Sequence, residues 1–302
     1  VNLFSRIYRN IESKEHVIAW ALILPAALVM VLVVGYPIIS NIWLSLHAVS
    51  LINPFERPFV GLANHLNFFA DPIFWASVGR TAYFTVVSVG LEIILGIAIA
   101  LLINLKLKGW RLLRSVIIIP WAIPTVVNGT MWKWIYNADY GALNGLLMSL
   151  GLIDKYQAWL ADPFTAMNLV ILADIWHCTP LVVLIISAAL ASLPDAIYEA
   201  ARIDGASSWQ SFWHITLPLL RPALLVTLVL RTVEAFRVFD IIYVITGGGP
   251  ANGTLVISYL TYLESFSYLN LGRGAALSFI VSAFILVLAL VYYKLLYTED
   301  VA

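Results

Sequence analysis

The chain has 302 residues, 62% of them hydrophobic and 11% charged, with a mean hydropathy of +0.91, whereas a soluble domain carries about 25% charged residues. This composition excludes a soluble enzyme and puts the chain in a bilayer. Lys and Arg number 17 and so do Asp and Glu, and no basic run interleaves with aromatics, so a nucleic-acid groove is excluded as well.

Taken in order, the chain opens with Arg6, Arg9 and Lys14 and shows no small-residue cleavage site, so the apolar run His16 to Ser45 is expected to be a retained anchor. Five more runs approach the roughly 20 residues needed to cross hydrocarbon: Arg80 to Asn104, Ser115 to Tyr136, Met167 to Leu190, Leu219 to Thr246, and Ala275 to Tyr297. The fold class is therefore all-α and polytopic, with six transmembrane helices in one transmembrane domain over residues 1–302. Pro25, Pro37, Pro120, Pro124 and Pro180 fall inside these runs and predict kinks, because each removes a backbone donor. Lys106, Lys108, Arg111 and Arg114 join runs two and three, Arg202 and Arg221 flank the link between four and five, and Lys294 closes run six. The opposite links hold Arg57, Lys155 and Arg273, with Arg80 and Lys133 at run edges, so the positive-inside rule predicts both termini in the cytoplasm. Trp132, Trp134 and Tyr136 are expected to form an interfacial belt. Cys178, the one cysteine, rules out internal disulfides and paired-cysteine zinc patterns, and no metal site is expected.

The link at residues 192–222 reads SLPDAIYEAARIDGASSWQSFWHITLPLLRP. Ser192 with Pro194 predicts a helix start, Asp204-Gly205 a helix stop, and Ser207 the cap of a second helix carrying Trp209, Phe212, Trp213 and Ile215. Glu199, Ala200 and Ile203 share a face of the first helix. Physics leaves two uses open: insertion into a groove on another protein, or rest on lipid headgroups.

Ionisable residues at membrane depth are costly and mark a cavity or a partner. Run five carries Arg231, Glu234, Arg237 and Asp240 at three-residue intervals, run four carries Asp174 and His177 one turn apart, and run two carries Glu92. They could line a path for a hydroxylated ligand, with Trp176, Phe236 and Phe239 offering flat faces, or could merely pair between helices, as Arg237 with Asp174 would. No Ser or Cys nucleophile pairs with His177, so no catalytic residue is expected.

EAARIDGASSWQSFWHITLP, Glu199 to Pro218, closely resembles the EAA loop of ABC importer permeases, EAAxxDGAxxxxxFxxIxLP. FRVFDIIYVITGGGP from Phe236, FVGLANHLNFFADPIFW, RLLRSVIIIPWAIPTVV and GALNGLLMSLGL are similar to segments of the maltose-type carbohydrate branch. The resemblance covers nearly the whole chain. It implies a cytoplasmic coupling loop at residues 192–222, with Glu199, Ala200, Ala201, Asp204 and Gly205 meeting an ATPase. It also implies sugar contacts on runs four and five, at Arg231, Glu234 and Val238 with Asp174 and His177 beside them, and a structural Glu92. The implied partners are a second homologous permease, two cytoplasmic ATPase subunits that bind ATP and Mg, and an external sugar-binding protein, in a bacterial or archaeal inner membrane. This chain itself is expected to bind no cofactor, since it has no GxxxxGK[ST] phosphate loop. Without a large inserted external domain, binding-protein contacts are expected from short loops such as Gly247 to Gly274. The implied cargo is an oligosaccharide or related glycoside, an α-glucoside such as trehalose, maltose or glucosylglycerol; glycerol-phosphate or another polyol is the alternative. A secondary-active transporter would show internal repeats, and none is seen.

Overall fold

The computed structural model describes Val17, residues 19–105 and residues 110–296, with backbone alone at residues 110–114, 295 and 296. Arg6, Arg9, Lys14, Lys106 and Lys108 therefore lie outside the described residues, as do the side chains of Arg111 and Arg114. Among the described residues the regular structure is helical, and the one β-type pairing is an isolated bridge between His47 and Phe59.

In chain order the helices are α1 (Ala19–Ser45), α2 (Ala63–Phe69), α3 (Pro72–Asn104), α4 (Trp110–Ala122), α5 (Thr125–Ile135), α6 (Ala142–Ser149), α7 (Pro163–Ala191) and α8 (Asp195–Ile203). There follow α9 (Ser208–Leu219), α10 (Arg221–Phe236), α11 (Asp240–Ile245), α12 (Ile257–Tyr262) and α13 (Leu271–Leu296). Helices α1, α3, α7 and α13 are each long and apolar enough to cross a bilayer. Two bent pairs pass the same test jointly: α4 with α5, bent by 97°, and α9 with the Arg221–Ile245 segment, bent by 65°.

The prolines act unequally. Pro180 sits inside an unbroken 29-residue α7. At Pro120 and Pro124 the expected kink is a complete break, because Pro124 supplies no N–H and its extended ψ of 140° starts a new helix. Pro37 follows a π-helical turn at Val31–Gly35 rather than a sharp bend.

Helix α3 begins earlier than hydropathy alone placed it. Asp71 caps it by accepting from Ile73 N at 2.8 Å, with Pro72 in the first turn. Asp162 caps α7 in the same way, accepting from both the N–H and Oγ1 of Thr165 at 2.8 Å. Those bonds hold its carboxyl below the usual range.

The chain divides into two compact units. The smaller takes in residues up to Asn67 together with Glu264–Leu277. In it the buried Asn64 amide donates to the carbonyls of Ser45 and His47, both at 2.9 Å, and Arg273 pairs with Glu264 through two 2.9 Å bonds. Among the described residues the apolar stretch of α1 is unburied.

The larger unit, Phe68–Leu263 with the rest of α13, is built on α3 packed along α7. The buried residues of α3 include a run of small ones, Ser77, Thr81, Thr85, Ser88, Gly96 and Ala100, which lets two backbones approach as large side chains could not. Val182 fills the notch at Gly96, and Ala100, Val182, Ile186, Leu190 and Leu220 form the core beside it. A methyl added at Gly96 would come within 2.7 Å of Val182 Cβ. Gly96→Ala is therefore expected to destabilise the protein by about 1 to 3 kcal/mol, with recovery in Gly96→Ala/Val182→Ala, read as thermal unfolding midpoints in detergent.

The expected aromatic belt is largely internal. Tyr136 is 2% exposed and donates to the Leu169 carbonyl at 3.0 Å, while Trp132 packs on Tyr136 and Trp176 at centroid distances of 5.2 and 5.7 Å. Of the three, only Trp134 turns outward. The Gly247 to Gly274 link is likewise not a plain loop, since it contains α12 and the start of α13.

Candidate functional site

Arg231 on α10 organises the buried charges of the larger unit. Its Nε and Nη2 donate to the two carboxylate oxygens of Glu92 on α3, at 2.7 and 3.0 Å. Nη2 also lies 3.4 Å from Asp174 Oδ2 on α7, and Nη1 pairs with Glu234 one turn along α10. Arg231 and Glu92 are buried, Asp174 nearly so, and the Glu234 side chain is 56% exposed. The bidentate geometry suits guanidinium to carboxylate. The interhelical pair is therefore Arg231 with Glu92 and Asp174, and not Arg237 with Asp174 as the spacing had offered. Run five is not one smooth charged face, because Arg237, Val238 and Phe239 interrupt it between α10 and α11. Phe239 is held at that interruption by ring contacts with Tyr243, Tyr259 and Tyr262, at 5.4, 5.8 and 5.1 Å.

Glu92, Asp174 and Cys178 bring ligand-type atoms within 4.8 Å of one another. The cation among them is the Arg231 guanidinium, so their geometry is that of an ion-pair cluster.

Against this cluster lies a cavity of about 370 Å³. Arg231, Glu234, Val238, Asp174 and His177, the five residues expected from the sequence, all line it. Arg231 is spent on internal carboxylates, whereas the Glu234 side chain stays more than half exposed. His177 is fixed from behind: its Nδ1 lies 2.8 Å from the Pro120 carbonyl, an acceptor that Pro124, lacking an N–H, cannot satisfy in the usual helical way. A neutral ring bonded through Nδ1–H has Nε2 as an acceptor.

Sequence reasoning overlooked a further wall. Trp121, Thr125 and Asn128, from the elbow between α4 and α5, also line the cavity. Thr125 Oγ1 donates to Asp240 Oδ2 at 2.8 Å, tying α5 to α11. The signal was present as Pro120 and Pro124 ahead of Thr125 and Asn128 in an otherwise apolar run, but a kink does not disclose which face turns inward.

The 192–222 link forms two helices. Ser192 ends α7, its hydroxyl donating to the Ala189 carbonyl at 2.7 Å, so it is a terminator and not the expected start; α8 begins after Pro194. Gly205 has φ +79°, and Ala206 N to Ala201 O at 2.9 Å with Gly205 N to Arg202 O at 3.1 Å closes a Schellman motif. Ser207 and Gln210 make a capping box for α9, and Tyr198 OH meets Thr216 Oγ1 at 3.1 Å, bracing α8 on α9. Glu199, Ala200 and Asp204 are exposed, and Ile203 is 87% exposed, with no partner surface among the described residues. Ala201, expected from the sequence to stand with them, is buried where Glu199, Ala200 and Asp204 are exposed.

A family model described as the binding-protein-dependent transport system inner membrane component matches residues 92–297. The chain is 42% identical over 288 residues to a trehalose/maltose transport system permease protein of Thermococcus litoralis, covering 94% of this chain and 95% of that one. It is 37% identical over 293 residues to a trehalose transport system permease protein of Mycobacterium tuberculosis, covering 97% and 92%. With a sulfoquinovosyl glycerol transport system permease protein of Agrobacterium fabrum it shares 33% identity over 292 residues, covering 97% and 94%. Its fold matches a crystal structure of a bacterial ABC transporter involved in the import of the acidic polysaccharide alginate, with a TM-score of 0.81, 22% identity, and 96% and 97% of the two chains covered.

Proposed function

We propose that this chain, which belongs to the binding-protein-dependent transport system inner membrane component family, carries a neutral α-glucoside of the trehalose or maltose type across the cytoplasmic membrane. The observation that supports this reading most is the cavity against Arg231. Its wall alternates carboxylates, guanidinium and imidazole with the apolar faces of Trp121 and Phe239, which is what a hydroxylated ring with apolar faces requires. The trehalose and maltose permeases named among the relatives support the choice of sugar. Among the charges that line the cavity Asp174, Glu234 and Asp240 outnumber Arg231 and Arg237, which favours an uncharged ligand over a phosphorylated one.

In this reading the bent pairs count as spans, giving six, with both termini and the 192–222 link in the cytoplasm. The exposed face of α8 inserts into an ATPase subunit. Two such subunits bind ATP and Mg, a second permease closes the other side of the path, and an external binding protein delivers the sugar. ATP binding closes the ATPase pair, α8 travels with its groove, and the membrane helices rock from inward-open to outward-open.

The test is reconstitution of the whole assembly in vesicles with radiolabelled trehalose and maltose. ATP-dependent uptake that requires the binding protein is expected, and none with either sugar would refute the substrate class. The orientation is checked separately in a Cys178→Ala background, where Ser208→Cys should react with an impermeant thiol reagent from the cytoplasmic side and Asn252→Cys from outside. Outside labelling at Ser208 would overturn the six-span arrangement.

A further inference from the structure

Another cavity, of about 780 Å³, lies between the C-terminal half of α3 and the α8–α9 hairpin. Ile94, Ile97, Leu101 and Leu105 of α3 line it together with Phe212 and Trp213 of α9, so its wall is mainly apolar. Trp209, Phe212 and Trp213 pack on one another at centroid distances of 6.2, 5.6 and 5.2 Å, yet Trp209 stays 70% exposed and Trp213 47%. From Ile94 to Leu105 the groove follows α3 for about 16 Å at 1.5 Å per residue. That is half of the roughly 30 Å of hydrocarbon in a bilayer, the depth of one leaflet. Arg202 of α8 is the one charged residue among the described residues that line the groove, and no carboxylate pairs with it among them. Helix α8 therefore has two separate faces. Tyr198 and Arg202, one turn apart, line the groove, whereas Glu199, Ala200 and Ile203 do not.

We propose that this groove holds an acyl chain of an anionic phospholipid of the cytoplasmic leaflet, with Arg202 on its phosphate. An acyl chain matches an apolar groove one leaflet deep, and the groove carries its cation on the hairpin, beyond the membrane helix, where a headgroup begins. A guanidinium holds a phosphate through paired donors. The exposed indoles of Trp209 and Trp213 suit the same level, since their apolar bodies sit among chains and their N–H groups reach headgroups. Insertion into a partner and rest on headgroups are thus compatible uses of this link, one for each face of α8. The inference rests on the cytoplasmic placement of the 192–222 link. Thiol labelling of Ser208→Cys tests that placement by itself, so the two fail separately.

The experiment titrates the complete, delipidated transporter with phosphatidylglycerol and with phosphatidylcholine and counts bound lipids by native mass spectrometry. The difference between wild type and variant isolates this groove from the rest of the lipid-facing surface. The wild type is expected to prefer phosphatidylglycerol here by roughly fivefold, the effect of about one basic residue at a membrane surface. Arg202→Gln should abolish that preference, and Arg202→Lys should keep most of it. Ala98→Trp, at an exposed position that lines the groove, retains Arg202 but fills the space, and should lose the site for both lipids while still assembling. Inorganic phosphate should displace nothing. Unchanged phosphatidylglycerol binding in Arg202→Gln or in Ala98→Trp would overturn the proposal, and so would displacement by phosphate, which would mean an anion site without a chain. Failure of Ala98→Trp to assemble would overturn it too, by showing that another subunit fills the groove.

Discussion

Arg231→Met is expected to leave little assembled protein in the membrane. The substitution keeps the volume of the side chain's stem and removes the cation that neutralises Glu92 and Asp174, which lie 2.7 and 3.4 Å from it. Glu92 is completely buried and has no water to turn to. Breaking a buried pair in this way costs about 3 to 5 kcal/mol, a large part of the stability of about 5 to 15 kcal/mol that holds a typical protein together. Neutralising the stranded partners should restore folding, so Arg231→Met/Glu92→Gln/Asp174→Asn is expected to recover most of the purified yield and the thermal midpoint. Glu234→Ala should behave differently. Its side chain is more than half exposed, so its loss should spare assembly and reduce sugar uptake. A wild-type yield and unfolding midpoint for Arg231→Met alone would show that the cluster is not what binds α3, α7 and α10 together.

Glu199→Lys is expected to separate ATP turnover from transport, or to release the ATPase subunits altogether. The carboxylate stands on the exposed face of α8 beside Ala200, with Ile203 one turn on, and nothing among the described residues covers that face. In the proposed assembly it enters a groove, where reversing a charge costs about 2 to 5 kcal/mol, equivalent to roughly a thirtyfold or greater loss of affinity. The exposed side chain contributes little to the hairpin's own fold, so purified Glu199→Lys should keep the wild-type thermal midpoint while losing copurified ATPase or sugar-stimulated hydrolysis. Ala201→Glu is the contrast. It would put a charge at a buried position of α8 and should damage the loop itself. Gly205→Val should also act through the fold, since the site is open but its φ of +79° disfavours any side chain, a β-branched one most of all. Unchanged coupling in Glu199→Lys would remove α8 from the mechanism.

The sequence by itself determined the class of the protein. An apolar excess of this size can be buried only in lipid, and lipid leaves helices as the structure for such long uninterrupted runs. The Glu199 to Pro218 segment carried its local structure in its own residues: Gly205 takes the left-handed turn that a helix stop needs, and Ser207 with Gln210 makes the cap. These are short-range effects. Arg231, Glu234, Asp174 and His177 also converged on one cavity, because ionisable groups in a bilayer have few places to go except one another or a cavity.

What only the tertiary structure decided were choices between equivalent local options. Three-residue spacing placed Arg231 and Arg237 alike, and the meeting of α3, α7 and α10 made Arg231 the partner of Glu92 and Asp174. Proline marked several possible kinks, but Pro180 is carried within a packed helix while Pro124 begins a new one at 97° to the last. Trp132 and Tyr136 read as interfacial because their residue types are common there, and packing on Trp176 and Leu169 turned them inward. Asn128 was invisible for the same reason. Whether a polar side chain on an apolar helix faces lipid, a partner or a cavity depends on the rotation of that helix about its axis, and contacts far away in sequence set that rotation.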